Sequence, residues 1–226
     1  PPVFPHTRNQ FQYTQGCVSK MQEEKTYRLV EIFYSLQGEG IRAGEPSFFV
    51  RFSNCNMQCD MEAGPKSPGG FRCDTEFMSG RRWTVSDIHN YLIEMQTECK
   101  WIVLTGGEPG LQVDEYLISC LHGFGYKLAI ETNGTIALPD GLDHITVSPK
   151  CAEHALRQLT ATEVKYVRKH GQGIPQPACK AQYKMISPGF DSHELDQKNL
   201  QWCIKLCLEN PEWRLSVQNH NLWQVR

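Results

Sequence analysis

Cys55, Cys59 and Cys73 carry the richest chemistry in this chain of 226 residues. Cys55-Asn56-Met57-Gln58-Cys59 follows an apolar run, and Cys73-Asp74-Thr75 closes the loop behind it. Thiolates are soft ligands that suit either zinc or an iron–sulfur cluster. A structural zinc site wants four closed ligands, often in two near pairs, and no fourth Cys or His lies within this loop. Three thiolates on a cluster of four irons leave one iron open. Such an iron can chelate the amino and carboxylate groups of S-adenosylmethionine, and electron transfer into the sulfonium yields a 5′-deoxyadenosyl radical. By spacing alone, a cluster, zinc and unliganded thiols all remain open readings.

A second motif, Thr105-Gly106-Gly107-Glu108-Pro109, follows the apolar run 101–105. Two glycines let a backbone approach a ligand closely, and Glu108 can accept hydrogen bonds from an ammonium. An ordinary strand-to-helix turn explains the same residues in isolation; three cysteines in a nearby loop weigh against it. The chain holds ten cysteines in all. Cys120, Cys203 and Cys207 sit singly in apolar periodic stretches and read as core. A secreted disulfide scaffold is normally shorter and follows a signal peptide, so a reducing cytoplasm is the simplest compartment.

The elements that must position these motifs follow from hydrophobic period. Strand-like runs fall at 27–35, 47–53, 101–105, 127–131, 144–148, 164–167, 183–187 and 214–218. Helical patterns fall at 85–96 from an N-cap at Thr84, at 114–122 before Gly123, and at 194–208 before Pro211. Their alternation predicts an α/β fold with a parallel sheet, open or curled into a barrel, whose chemistry collects at the carboxyl ends of the strands. Residues 57–82 lack a clear period and hold Gly64, Pro65, Pro68, Gly69 and Gly70, which predicts a long functional loop.

Composition bounds the function. With 40% apolar residues, 21% charged and a net charge of −2, the chain suits a globular domain rather than a dedicated nucleic-acid or membrane-surface binder. No apolar run is long enough to span a bilayer. Residues 1–26 are expected to form an N-terminal extension, and their first twenty carry no acid and no secretory h-region. Residues 27–226 are expected to form one domain that includes the cysteine loop 55–73.

From about Tyr27 onward the chain resembles the 7-carboxy-7-deazaguanine synthases of the radical S-adenosylmethionine superfamily. The resemblance rests on Leu36-Gln37-Gly38-Glu39-Gly40, Arg51, Cys73-Asp74-Thr75, the 105–109 run, Glu131-Thr132-Asn133-Gly134, Ser148-Pro149-Lys150 and the tail 213–220. It implies an incomplete (βα) barrel and conversion of 6-carboxy-5,6,7,8-tetrahydropterin to 7-carboxy-7-deazaguanine with loss of ammonia, a step of queuosine biosynthesis. The implied cofactors are a 4Fe-4S cluster on Cys55, Cys59 and Cys73, S-adenosylmethionine, and Mg²⁺ on the Thr75 hydroxyl. Leu36, Gln37, Gly38, Glu39, Arg51, Thr105, His220 and Arg226 would meet the pterin, with the planar fork of Arg51 on its carboxylate. Asp74, Gly107, Glu108, Glu131, Asn133, Ser148, Pro149, Lys150 and Ser187 would line the cofactor site. A homodimer and an electron donor such as a flavodoxin or ferredoxin are implied as partners.

The chain departs from that pattern in places. Relatives commonly space the ligands C-x3-C-x2-C, whereas this chain reads C-x3-C-x13-C. Arg72 stands where an aromatic is usual before the last cysteine, and Ser187-Pro188 where Gln-Pro is common. Two other readings compete: a radical activase acting on a glycine of a partner protein, and a zinc-stapled binding protein without catalysis.

Overall fold

A computed structural model describes residues 24–57, 59, 77–191 and 194–225. Strand β1 (Thr26–Leu36) pairs antiparallel with β2 (Pro46–Phe52) on one side and with β3 (Arg81–Thr84) on the other. From β2 onward the strands run parallel: β4 (Trp101–Gly106), β5 (Lys127–Thr132), β6 (His144–Val147), β7 (Thr160–Arg168) and β8 (Lys180–Pro188). A two-stranded ribbon of β9 (Phe190–Asp191) and β10 (Glu194–Leu195) follows, and β11 (Trp213–Leu215) joins the edge beside β8. The main sheet therefore has nine strands in the order β11-β8-β7-β6-β5-β4-β2-β1-β3 and does not close. This is the expected incomplete barrel.

One face of the sheet is apolar and covered by helices. Phe48, Val50, Phe52, Ile102, Leu104, Leu128 and Ile130 pack with Ile88 and Leu92 of α1 (Val85–Glu94) and with Leu117 and Leu121 of α2 (Glu115–Gly123). Val164, Tyr166 and Ile186 pack with Cys203 and Leu206 of α3 (Gln197–Glu209). Because side chains alternate across a strand, the residues between these point into the concave face. Its base is the small cluster Phe33, Phe49, Val103 and Ala129. The next alternate positions are polar: Arg51 in register with Thr105, and Glu131 with Thr146 and Glu163, while Thr105 is hydrogen-bonded to Glu131. A ring of charge thus stands above an apolar floor.

The caps at Thr84 and Asp114 match the helix starts read from sequence: Thr84 accepts from the Asp87 N–H in a capping box, and Asp114 from that of Leu117. Three expectations need correction. The helix placed at 194–208 begins at Gln197, since Asp196 takes the Lys198 and Asn199 N–H groups as N-cap and Leu195 is paired in β10. Residues 81–82, read as loop, begin β3, where pairing with β1 overrides a weak local pattern. The strand read at 214–218 stops at Leu215, and the chain turns into α4 (Asn219–Trp223). Strand–helix alternation also lapses in the middle of the chain, where β5, β6, β7 and β8 are joined by loops and one short 3₁₀ turn, Glu153–Ala155.

Candidate active site

The concave face is crossed by the segment that follows β1. Gln37 Nε2 donates to Glu131 Oε1 on β5 at 2.9 Å, and Thr105 Oγ1 donates to Glu131 Oε2 at 3.3 Å. Glu39 forms an ion pair with Lys165 on β7. The Gly40 N–H donates to Ser216 Oγ at 3.0 Å beyond β11, and the Ile41 N–H to Glu163 Oε2 at 2.9 Å. Gly38 lies against α4: the Asn219 N–H donates to its carbonyl at 3.1 Å, and a Cβ on Gly38 would sit 2.2 Å from His220 Nδ1. Segment 37–41 is thereby fastened to β5, to β7 and to the turn beyond β11.

Burial sets the electrostatics here. It pushes the Glu131 carboxyl up; the neighbouring Glu163 charge adds to that, while the Gln37 and Thr105 hydrogen bonds and the Arg51 charge oppose it. Burial acts upward on Glu163 too, but His144, the Ile41 N–H and Thr146 outweigh it and hold that carboxyl low. Arg51 donates through Nε to Glu31 Oε1 at 2.9 Å, directly across the β1–β2 pair. The far end of its fork, the two Nη groups, has no acceptor among the described residues.

At the carboxyl ends of β2, β4 and β5 stands a second cluster. Cys55 and Cys59 are half-buried in the loop after β2. Asn56, between them, accepts from Asn133 Nδ2 at 2.9 Å and donates to Thr135 Oγ1 at 2.8 Å, which ties the cysteine loop to the turn after β5. Gly106 and Gly107 make a close approach, but to protein: Cβ atoms there would lie 2.3 Å from the Phe52 carbonyl oxygen and 2.0 Å from that of Asn54. Gly107 donates its N–H to Phe52 O at 3.0 Å. Glu108 is 0% exposed and accepts from Thr132 Oγ1 at 2.6 Å and from the Asn133 and Gly110 N–H groups at 2.8 and 2.9 Å. In this structure it is a brace between β4 and β5, with burial raising its pKa against those bonds.

Ser148 and Lys150 lie beyond β6, with Lys150 Nζ donating to Ser148 Oγ at 3.1 Å, and Pro149 stands between them in the same turn. Ser187 is buried at the end of β8. Leu36 closes β1. Cys73, Asp74, Thr75 and Arg226 lie outside the described residues. Glu163, Lys165, Ser216, Asn56 and Thr135 were not singled out in the sequence. A signal existed for two of them: in β7 charged Glu163 and Lys165 alternate with apolar Val164 and Tyr166, whereas a strand buried on both faces reads as continuous apolar residues.

No family model matches the chain. Curated relatives do. The 7-carboxy-7-deazaguanine synthase of Bradyrhizobium diazoefficiens is 39% identical over 212 residues, covering 89% of this chain and 100% of the relative. The chain belongs to the 7-carboxy-7-deazaguanine synthase family. The synthase of Caulobacter vibrioides is 36% identical over 86% of this chain and 97% of its own. That of Bacteroides thetaiotaomicron is 36% identical over 88% and 98%. Among solved structures, QueE from Escherichia coli matches with a TM-score of 0.62 at 22% identity, over 85% of this chain and 93% of that one, which supports the fold. Membership in the 7-carboxy-7-deazaguanine synthases makes the chain a radical S-adenosylmethionine lyase and sets aside the activase and zinc-staple readings. No helix among the described residues is long and apolar enough to cross a membrane.

Proposed function

We propose that the concave face is the chamber in which 6-carboxy-5,6,7,8-tetrahydropterin is contracted to 7-carboxy-7-deazaguanine with release of ammonia. The observation that carries this is convergence: Gln37, Arg51, Thr105 and Glu131 come from four separate segments into one polar ring beside the Cys55–Cys59 turn. The donor set fits the family's cofactors, because two half-buried cysteines flank the loop residue that is tied to Asn133. Cys55, Cys59 and Cys73 would hold the 4Fe-4S cluster, and Asp74, Gly107, Glu108, Asn133, Ser148, Pro149, Lys150 and Ser187 would shape the S-adenosylmethionine site. Bound together, these groups supply a carbon-centred radical, chemistry that side chains lack.

The chain's own residues orient the pterin. The Nη end of Arg51 takes the carboxylate, and Glu31 fixes the guanidinium from behind. Glu131, which the resemblance puts at the cofactor site, is bonded to Gln37 and Thr105 and is reassigned here to the amino-pyrimidine edge of the ring. Leu36, Gly38, Glu39 and His220 wall the chamber, and the resemblance assigns Arg226 to the pterin as well. Thr75 would offer its hydroxyl to Mg²⁺, a hard ion suited to oxygen ligands. The resemblance supports a homodimer in the cytoplasm served by a flavodoxin or ferredoxin.

The test is anaerobic reconstitution, with iron and sulfide counted, followed by mass-spectrometric turnover of the carboxypterin with S-adenosylmethionine and a strong reductant. Expected are four irons per chain, as the cluster assignment requires, and formation of the deazaguanine acid. A protein that holds zinc, or a loaded protein that consumes S-adenosylmethionine without ring contraction, would refute the proposal.

A further inference from the structure

Lys165 is a charged residue in the chamber that the roles above leave unused. It is 8% exposed, on the inward side of β7 between Val164 and Tyr166 of the outer core. An ammonium has three N–H donors, and among the described residues Glu39 is its one partner. Buried donors left without acceptors are costly, so the remaining N–H groups call for an acceptor. Burial draws its pKa down to about 8, which still leaves the ammonium the majority form at neutral pH.

Its placement says which acceptor. Gln37 and Glu39 flank Gly38 in one short segment; the first fastens to Glu131 on β5 and the second to Lys165 on β7. The two strands are separated by β6 alone, so a carboxylate and an ammonium face one chamber about 10 Å apart along the hydrogen-bonding direction. That is about the width of a two-ring heterocycle with its substituents. A pterin presents a donor edge, the amino group and ring N–H, directly beside an oxo oxygen. With the donor edge on Glu131, a neighbouring cation matches the oxo group.

We propose that Lys165 determines specificity by donating to the oxo oxygen of the pterin's pyrimidine ring, while Glu39 holds the ammonium in place. An amino group at that ring position would bring donors against donors. A site built to donate rejects such an analogue, because its buried donors are then left unpaired. The inference rests on the chamber being the pterin site.

The experiment measures equilibrium binding to the reconstituted protein without reductant. The ligands are the carboxypterin and the diaminopteridine carboxylate in which an amino group replaces the oxo oxygen. The wild-type protein should prefer the oxo ligand. Lys165→Gln, whose amide can donate or accept, should lower that preference roughly tenfold or more, with S-adenosylmethionine affinity within about twofold of wild type. Glu39→Gln should lower it less, since the ammonium stays. Lys165→Arg keeps the charge and the Glu39 pairing; it serves if Lys165→Gln fails to melt cooperatively, and should preserve the preference. An unchanged preference in folded Lys165→Gln, or a lost preference in folded Lys165→Arg, would overturn the assignment. A loss of affinity equal for both pteridines would likewise reduce Lys165 to a strap for segment 37–41. Failure of the wild type to bind the carboxypterin at all would instead bring down the pterin reading itself.

Discussion

Glu163 shows how one side chain can serve the fold and the site together. It accepts from Thr146 Oγ1 at 2.8 Å and from the Ile41 N–H, and His144 Nε2 stands 3.5 Å away. Its folded pKa is depressed, so its stabilisation is full above the unfolded value and is lost as pH falls through the folded one. Glu163→Gln should therefore cost about 1–3 kcal/mol near neutral pH, with the gap to wild type closing in acid, below the depressed folded pKa. Urea titrations at both pH values check this; an equal gap at both would remove the charge from the account. The cysteines divide just as sharply. Cys55→Ala and Cys59→Ala should lose bound iron after reconstitution with little change in melting temperature. Cys203→Ala, whose thiol is buried against α3's core neighbours, should keep its iron and lose about 1–2 kcal/mol of stability. Iron content and chemical denaturation, measured on the same preparations, separate the two groups.

Segment 37–41 leads from β1 into a short 3₁₀ turn, Gly40–Arg42, and is held by contacts from elsewhere. Gly40 makes it possible: its φ is +71°, and a Cβ would lie 2.1 Å from Glu163 Oε1. Gly44, in the same connection, has φ +88° but open space around it. Gly44→Ala should cost about 1 kcal/mol, the backbone term alone. Gly40→Ala should cost clearly more, because it also drives Glu163 off Ile41 and Thr146. Comparable losses for the two variants in denaturant melts would mean the segment can shift without penalty. Helices α1 and α2 were legible in advance because their starts are local: Thr84 and Asp114 cap through residues three positions on. β3 and β10 were not, since a short strand exists only by virtue of its partner.

Across the whole molecule, the chamber is assembled from residues far apart in the chain: Gln37 with Glu131, Ile41 with Glu163, Gly40 with Ser216. Carboxypterin bound there should stabilise the protein as a unit, by about 2.7 kcal/mol at a hundredfold excess over its dissociation constant. Hydrogen exchange should slow in 37–42 and in α4 together. Slowing confined to one of them would place the ligand elsewhere. Truncation after Leu215 removes Ser216, Asn219 and His220, and should weaken the carboxypterin far more than S-adenosylmethionine in paired titrations. What the sequence by itself determined was chemical type and local order: Cys55 and Cys59 in one turn, Glu108 behind two glycines, Arg51 amid apolar neighbours, and strands with the right period. Tertiary structure alone decided their duties. Glu108 spends its oxygens on Thr132, Asn133 and Gly110, and the two glycines admit the backbone of Phe52 and Asn54. Lys165 and Glu163 became chamber residues because an open sheet curls its alternate positions toward a segment more than a hundred residues earlier. Spacing along the chain cannot encode that meeting; strand order and register do.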